Sequence, residues 1–273
     1  MASQLVHAGV LEHETPFLAG VWLNGASRRL KAGEYLFPAN ISPQGVMDLL
    51  LSGKTVVRRL TVPEGLTTAQ IFDLVRAAEG LEGALPPPPA EGSLLPETWH
   101  YSWGDERAPL VERMHRAMAE ALAELWPKRI ENLPLKTPEE ALVLASIVEK
   151  ETGLAAERPM VAAVFLNRLR HGMKLQSDPT VAYGVSPAQP LDRALTRADL
   201  DSFTRWNTYR IDGLPPTPIA NPGRASLLAV LQPAKVDYLY FVADGTGGHA
   251  FAKSLDAHNR NVATWRKLQQ GAK

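Results

Sequence analysis

The chain has 273 residues, 45% of them hydrophobic, enough to bury a real core and to hold two domains. Lys plus Arg and Asp plus Glu number 29 each, so the formal net charge is zero and no basic excess points to nucleic acid as the main partner. Cysteine is absent, which excludes disulfides, thiol catalysis and cysteine-ligated metals. The longest apolar stretches fall well short of the ~18 residues that cross a bilayer. The start, MASQLVHAGVLEHETPF, has no charged region followed by a signal-peptide core.

Residues 1–84 read as a small module. After an N-terminal helical stretch, Glu34 to Phe37 reads as a short strand. Ser42-Pro43 opens a helix over Gln44 to Leu51, and Gly53 ends it. Thr55 to Val62, rich in Val and Thr with loose alternation, reads as a second strand. Thr67 or Thr68 caps a helix over Gln70 to Ala78, with Ile71, Leu74 and Val75 on one face. Residues 85–98 form a linker that opens with the stiff run Leu85-Pro86-Pro87-Pro88-Pro89, and residues 99–273 make the second domain. Trp99 and Tyr101 read either as packing aromatics or as platforms for a sugar ring. Leu110, Met114, Met118, Leu122 and Leu125 mark a scaffold helix.

Thr137, Pro138 and Glu140 have the spacing of a helix start. The run Ala141 to Val148 is almost wholly apolar, so this helix is expected to be buried on most sides, with Gly153 as its stop. Leu144, Ile147, Val148 and Glu151 stand at i, i+3, i+4 and i+7 and share one face. Glu149 lies about 200° away from Glu151 around the helix. A carboxyl group that extends an apolar stripe at a helix C-terminus is disfavoured as an anion, and its pKa rises. That property suits a general acid working near neutral pH. The alternative is an exposed glutamate in a fraying last turn.

Pro159 to Arg170 reads as an amphipathic helix with Val161, Val164, Phe165 and Leu169 inward, and Asn167 and Arg168 structural or at a rim. Leu175 to Pro179 reads as a polar loop, because Pro179 biases Asp178 away from helical geometry. Gln176 and Asp178 are placed there to bond sugar hydroxyls or to close the loop on itself. Residues 206–223, WNTYRIDGLPPTPIANPG, read as a long ordered loop in which Asn207 and Tyr209 are candidates to hold substrate. A helix over Ala225 to Leu231 follows, then a hairpin pairing Asp237–Ala243 with Ala250–Lys253. His249 beside the turn reads as a sugar donor or a structural hydrogen-bonder. Ser254 to Gln270 is the closing helix.

The words ASIVEKET (145–152), VFLNRL (164–169), LQSDPTVAYG (175–184), NTY (207–209), GLPPTPIANPG (213–223), YLYFVADGTGGHAF (238–251) and His258-Asn259 occur in the order found in one family. With the N-terminal portion they resemble, over most of the chain, the YceG-like or MltG family of endolytic murein transglycosylases. The resemblance implies an α+β protein: a small LysM-like β-α-β module, then a catalytic domain mixing helices with a β-hairpin. It implies Glu151 as the catalytic acid, peptidoglycan glycan strands as substrate and a non-hydrolytic cut within the strand. That cut splits the bond between N-acetylmuramic acid (MurNAc) and N-acetylglucosamine (GlcNAc) to leave 1,6-anhydroMurNAc ends. It further implies that nascent strands are ended beside cell-wall synthases, on the extracytoplasmic, periplasmic face of the cytoplasmic (inner) membrane. The family's N-terminal membrane helix and the first strand of its module are not found here, which reads as a shortened chain or a misassigned start.

Two other readings stay open at this stage. One is a two-carboxylate glycoside hydrolase with Glu151 as acid and Asp178 or Glu149 as base. The other is a glycan-binding protein without catalysis. No metal or cofactor is expected, since the seven histidines include no HExxH and no close pair. The hairpin glycines do not make a phosphate loop, and G-x-S-x-G is absent.

Overall fold

Three apolar clusters organise the chain, the second and third interleaving where Leu94 joins one and Leu95 the other. The computed structural model describes residues 1–271. The first cluster joins α1 (Ala2–His7), α2 (Glu14–Leu23) and α3 (Pro43–Ser52) through Leu5, Phe17, Val21, Val46, Met47 and Leu50. Ser42 caps α3 by accepting the Gly45 N–H at 3.1 Å, and Gly53 ends it in the left-handed region at φ 68°, where a Cβ would be strained. The strand expected over Glu34–Phe37 does not form. Gly33 and Pro38 bracket it, Pro38 has no N–H to extend a ladder, and one hydrogen bond, from Val56 N–H to the Glu34 carbonyl at 2.7 Å, links it to the next segment.

In the second cluster β1 (Arg58–Thr61) leads into α4 (Thr68–Ala77), and β1 pairs antiparallel with β2 (Thr98–Tyr101), Arg58 facing Tyr101. Thr67 and Gln70 form the reciprocal capping box of α4. Val62, Ile71, Phe72, Val75, Leu94 and Tyr101 pack on the first half of α5 (Arg107–Leu125). The chain before and after the proline run therefore shares one core. Tyr101 is buried with its hydroxyl on the Glu79 carbonyl (2.8 Å), so it packs and is closed to sugar.

The third cluster surrounds α6 (Pro138–Glu151), in which every residue from Ala141 to Val148 is buried. It packs against α7 (Arg158–Arg170), α10 (Arg224–Leu231) and the end of α5. Thr137 caps α6 through the Glu140 N–H (3.2 Å), and the helix stops at Thr152, which turns extended one residue before Gly153. Two short helices lie between, α8 (Asp178–Val185) and α9 (Arg197–Asp201), and residues 202–223 run without helix or strand. Asp178 thus begins a helix instead of sitting in a loop. Pro179 is tolerated because the first-turn N–H groups of a helix have no intrahelical partner. Finally β3 (Tyr240–Ala243) pairs antiparallel with β4 (His249–Ala252), and α11 (Leu255–Gly271) closes the chain. Among the described residues no helix is long and apolar enough to cross a membrane.

Candidate active site

The buried stripe of α6 ends in a carboxyl group. Leu144, Ile147 and Val148 are fully buried, and Glu151 continues their face at the last residue of the helix. The Ser177 hydroxyl donates to Glu151 Oε1 at 2.5 Å. Burial pushes the Glu151 carboxyl up to about 7. The Ser177 bond pulls it back, the Asp178 charge pushes it further up, and the His249 and Arg168 charges pull it down. The group is thereby half protonated near neutral pH, able to give a proton and to take one.

Ser177 is held from behind by two threonines. Its N–H donates to Thr208 Oγ1 (2.9 Å), Thr180 Oγ1 donates to its carbonyl (2.6 Å), and the two threonine hydroxyls bond each other at 2.8 Å. Gln176 next to it takes a left-handed backbone at φ 52°, and its N–H reaches the Thr208 carbonyl (3.2 Å). This strained position turns the exposed Gln176 side chain outward while Ser177 faces in. Opposite, Arg168 is buried, with Nε on the Leu239 carbonyl (2.7 Å) and Nη1 on the Leu175 carbonyl (2.6 Å). Its guanidinium lies over the Tyr240 ring, 5.4 Å from the centroid, and Tyr240 stacks on His258.

The residues expected to touch substrate divide. Asp178 and Tyr209 meet beside Glu151, with Tyr209 OH donating to Asp178 Oδ1 at 2.7 Å, whereas the exposed Gln176 side chain makes no hydrogen bond among the described residues. Burial and that neighbouring carboxylate push the Tyr209 phenol well above its ordinary value. His249 is held by Glu157, which takes its N–H at 2.8 Å and lies 2.7 Å from its Nδ1; Nε2 has no partner among the described residues. Asn207 does not hold substrate. Its side chain is 0% exposed, Nδ2 donates to the Leu200 and Ser202 carbonyls, and Oδ1 accepts from Tyr209 N–H. It fixes the loop that presents Tyr209.

Glu149 is equally committed. Its carboxylate meets Arg158 at 3.3 Å and the Gly223 N–H at 2.9 Å, on the face of α6 away from Glu151, so it is no partner base. Arg158 also binds Glu64 at 3.1 Å, and burial with the Glu149 charge raises the Glu64 pKa. A Cβ on Gly223 would fall on the Glu64 carboxyl, which explains a glycine at that turn. Asn221 and Glu91 tie the proline-rich segments together. Glu91 accepts from Thr68 N–H (2.8 Å), Asn221 Nδ2 (3.1 Å) and Tyr183 OH (3.3 Å).

Beyond Asp178 opens a cleft of about 570 Å³ between α8, residues 186–200 and the turn at residues 65–70. Lys150, Asp178, Tyr183, Arg193, Leu195 and Ile219 are among its lining residues. The sequence reading missed Ser177, the support from Thr180, Thr208 and Glu157, and the Arg168 charge near enough to bear on the acid. Ser177 had a signal of a kind, lying between two residues that were chosen. Thr180 lies only three residues beyond Ser177, whereas Thr208 reaches Ser177, and Glu157 reaches His249, only by folding across tens of residues.

Known proteins carry the same arrangement of chain. The YceG-like family matches residues 1–264. A protein of Bacillus subtilis (strain 168) named endolytic murein transglycosylase is 36% identical over 172 residues, 63% of this chain and 47% of that protein. One of Streptococcus pneumoniae (strain ATCC BAA-255 / R6), with the same name, is 30% identical over 279 residues, 86% of this chain and 50% of that protein. The chain spans about half the length of these curated relatives. The crystal structure of a YceG-like protein from Listeria monocytogenes is similar with a TM-score of 0.62 at 30% identity, covering 95% of this chain and 94% of that one. With the α6 carboxyl, the serine beneath it and a match over nearly the whole length, the chain belongs to the YceG-like family.

Proposed function

We propose that the protein is an endolytic peptidoglycan lytic transglycosylase with Glu151 as its single acid and base. The observation that carries the reading is the Glu151 carboxyl itself, half-buried at the end of the apolar stripe, bonded by Ser177 and lifted to about 7. Protonated Glu151 gives its proton to the oxygen linking C1 of MurNAc to GlcNAc, and that C1–O bond breaks. The C6 hydroxyl oxygen of the same muramyl ring bonds to C1, and the Glu151 carboxylate takes the hydroxyl proton. No water is consumed, the product is a 1,6-anhydroMurNAc end, and Glu151 returns to its starting state. While Glu151 is an anion, the Ser177 hydroxyl and the Arg168 charge stabilise it, which is the sense in which both lower its pKa.

An intramolecular nucleophile brings a high effective molarity, so the remaining work is to hold the ring and exclude water. Gln176, Asp178, Tyr209 and His249 Nε2 supply that positioning, with Asn207 acting behind Tyr209. A LysM-like glycan-binding role for residues 1–84 is part of this reading, but residues 58–84 share a core with Leu94, Tyr101 and α5, so that role would sit on a segment built into the body of the catalytic domain and not on a module behind a spacer. The name that the two relatives share, endolytic murein transglycosylase, supports the substrate and the inside-chain cut. The reading extends to ending nascent strands beside cell-wall synthases at the outer face of the cytoplasmic membrane.

The rival is a hydrolase with Asp178 as base, since Asp178 is the carboxylate whose charge bears on Glu151. Digesting purified peptidoglycan in ¹⁸O-water separates the two. A transglycosylase leaves new ends free of ¹⁸O, whereas a hydrolase puts one ¹⁸O on every new reducing end.

A further inference from the structure

The cleft beyond Asp178 has a composition of its own. Ala182, Leu191, Leu195 and Ile219 give it apolar walls, and two cations, Lys150 and Arg193, reach it. Arg193 is occupied, since its two terminal nitrogens grip Asp199 at 2.5 and 3.0 Å. Asp178, the carboxylate in the lining, holds the Tyr209 hydroxyl. Lys150 differs. Among the described residues its ammonium bonds the Gly65 carbonyl at 3.2 Å and forms no salt bridge, leaving two of its three N–H donors free. It stands next in sequence to Glu151, yet on the cleft side of the helix end.

We propose that this cleft receives the peptide arm of the muramyl residue, with Lys150 pairing a carboxylate of that peptide. The inference rests on the transglycosylase reading given above. A muramyl ring carries at C3 a lactyl group amide-linked to a short, alanine-containing peptide. Once its glycosidic oxygen lies at Glu151, that arm must leave the ring beside the site. Apolar walls suit the methyl groups of the arm, and an ammonium at the cleft with no carboxylate partner among the described residues suits its carboxylate. Gly65, at φ 78°, lets its backbone turn close against the Lys150 stem, where a Cβ would stand 3.5 Å from Lys150 Cδ. Lys150 is exposed, and its bond to the Gly65 carbonyl is what holds its ammonium at the edge of the cleft.

The test compares kcat/KM for strands with free peptide carboxylates and for the same strands with those carboxylates amidated. Wild type is expected to prefer the free acid about tenfold, the ratio of one charge-assisted hydrogen bond. Lys150→Met is expected to lose that preference, and Lys150→Arg to keep most of it. Equal rates on acid and amide strands with the wild type overturn the proposal, with no variant needed. A preference that survives in Lys150→Met also overturns it. Reducing ends in place of anhydro ends, on either strand, mark instead a failure of the transglycosylase reading.

Discussion

The Ser177 hydroxyl meets the Glu151 carboxyl at 2.5 Å across 26 residues of sequence, joining the end of α6 to the start of α8. This bond favours the anion, so it sets the pH at which the acid gives up its proton. For the free enzyme, kcat/KM should hold below about pH 7 and fall above it as Glu151 ionises. Ser177→Ala removes a lowering influence and should move that fall to higher pH, with kcat reduced about tenfold by the loss of one charge-assisted bond. The pH–rate profile of both forms checks this. A limb that stays in place, or moves down, contradicts it.

Glu151 should also cost stability. Its folded pKa is about 7 against an ordinary 4.5, so between these values the folded chain holds a proton that the unfolded chain has lost. Below about pH 4.5 both states are protonated and nothing is lost; above about 7 both are ionised and the full cost, about 3 kcal/mol, applies. Stability therefore falls as pH rises through this window. Glu151→Gln removes the effect, so urea unfolding should find the variant's advantage over wild type small at pH 4.5 and largest at pH 8. A constant difference would count against a raised pKa.

Glu149 and Glu151 are separated by one residue and should behave oppositely. Glu149→Ala leaves Arg158 short of a buried partner and the Gly223 N–H without an acceptor, a loss of about 3 kcal/mol. Its unfolding midpoint should drop sharply while the product ends made by the folded fraction stay the same. A stable Glu149→Ala protein with altered products would put Glu149 in the chemistry.

Asn207 and Tyr209 make a second contrast. Asn207→Ala strands the Leu200 and Ser202 carbonyls in the interior and should cost about 1 to 3 kcal/mol of stability. Tyr209→Phe removes a half-buried hydroxyl from Asp178 and should leave the unfolding midpoint nearly unchanged while lowering kcat/KM about tenfold. Thermal melts set beside kinetics separate the two roles.

The helix carrying the acid was legible because its signals are local. A cap, an eight-residue apolar run and the 3.6-residue period placed Glu151 and Glu149 on different faces, as the structure has them, with Glu149 buried against Arg158 and Gly223. The hairpin and closing helix were readable for the same reason. The sheet partner of β1 was not, because Thr98–Tyr101 lies beyond the proline run and no period in Arg58–Thr61 encodes which strand will pair with it. Asn207 was misread because a polar side chain in a polar loop looks the same whether it faces solvent or staples its own backbone. Pro179 misled for a related reason. It forbids the middle of a helix but is welcome in the first turn, and the choice depends on whether Ser177 is pinned, which Thr208 does from 31 residues away.

The most direct test is mass analysis of the glycan ends released from purified peptidoglycan by wild type and by Glu151→Gln. Wild type should release muramyl ends lighter by one water than reducing ends, and the variant, which folds but has no exchangeable carboxyl proton at that position, should release none. Anhydro ends from Glu151→Gln at the wild-type rate would contradict the assignment of Glu151 as the acid and base. Reducing ends from the wild type would contradict a reaction that closes the muramyl ring on itself.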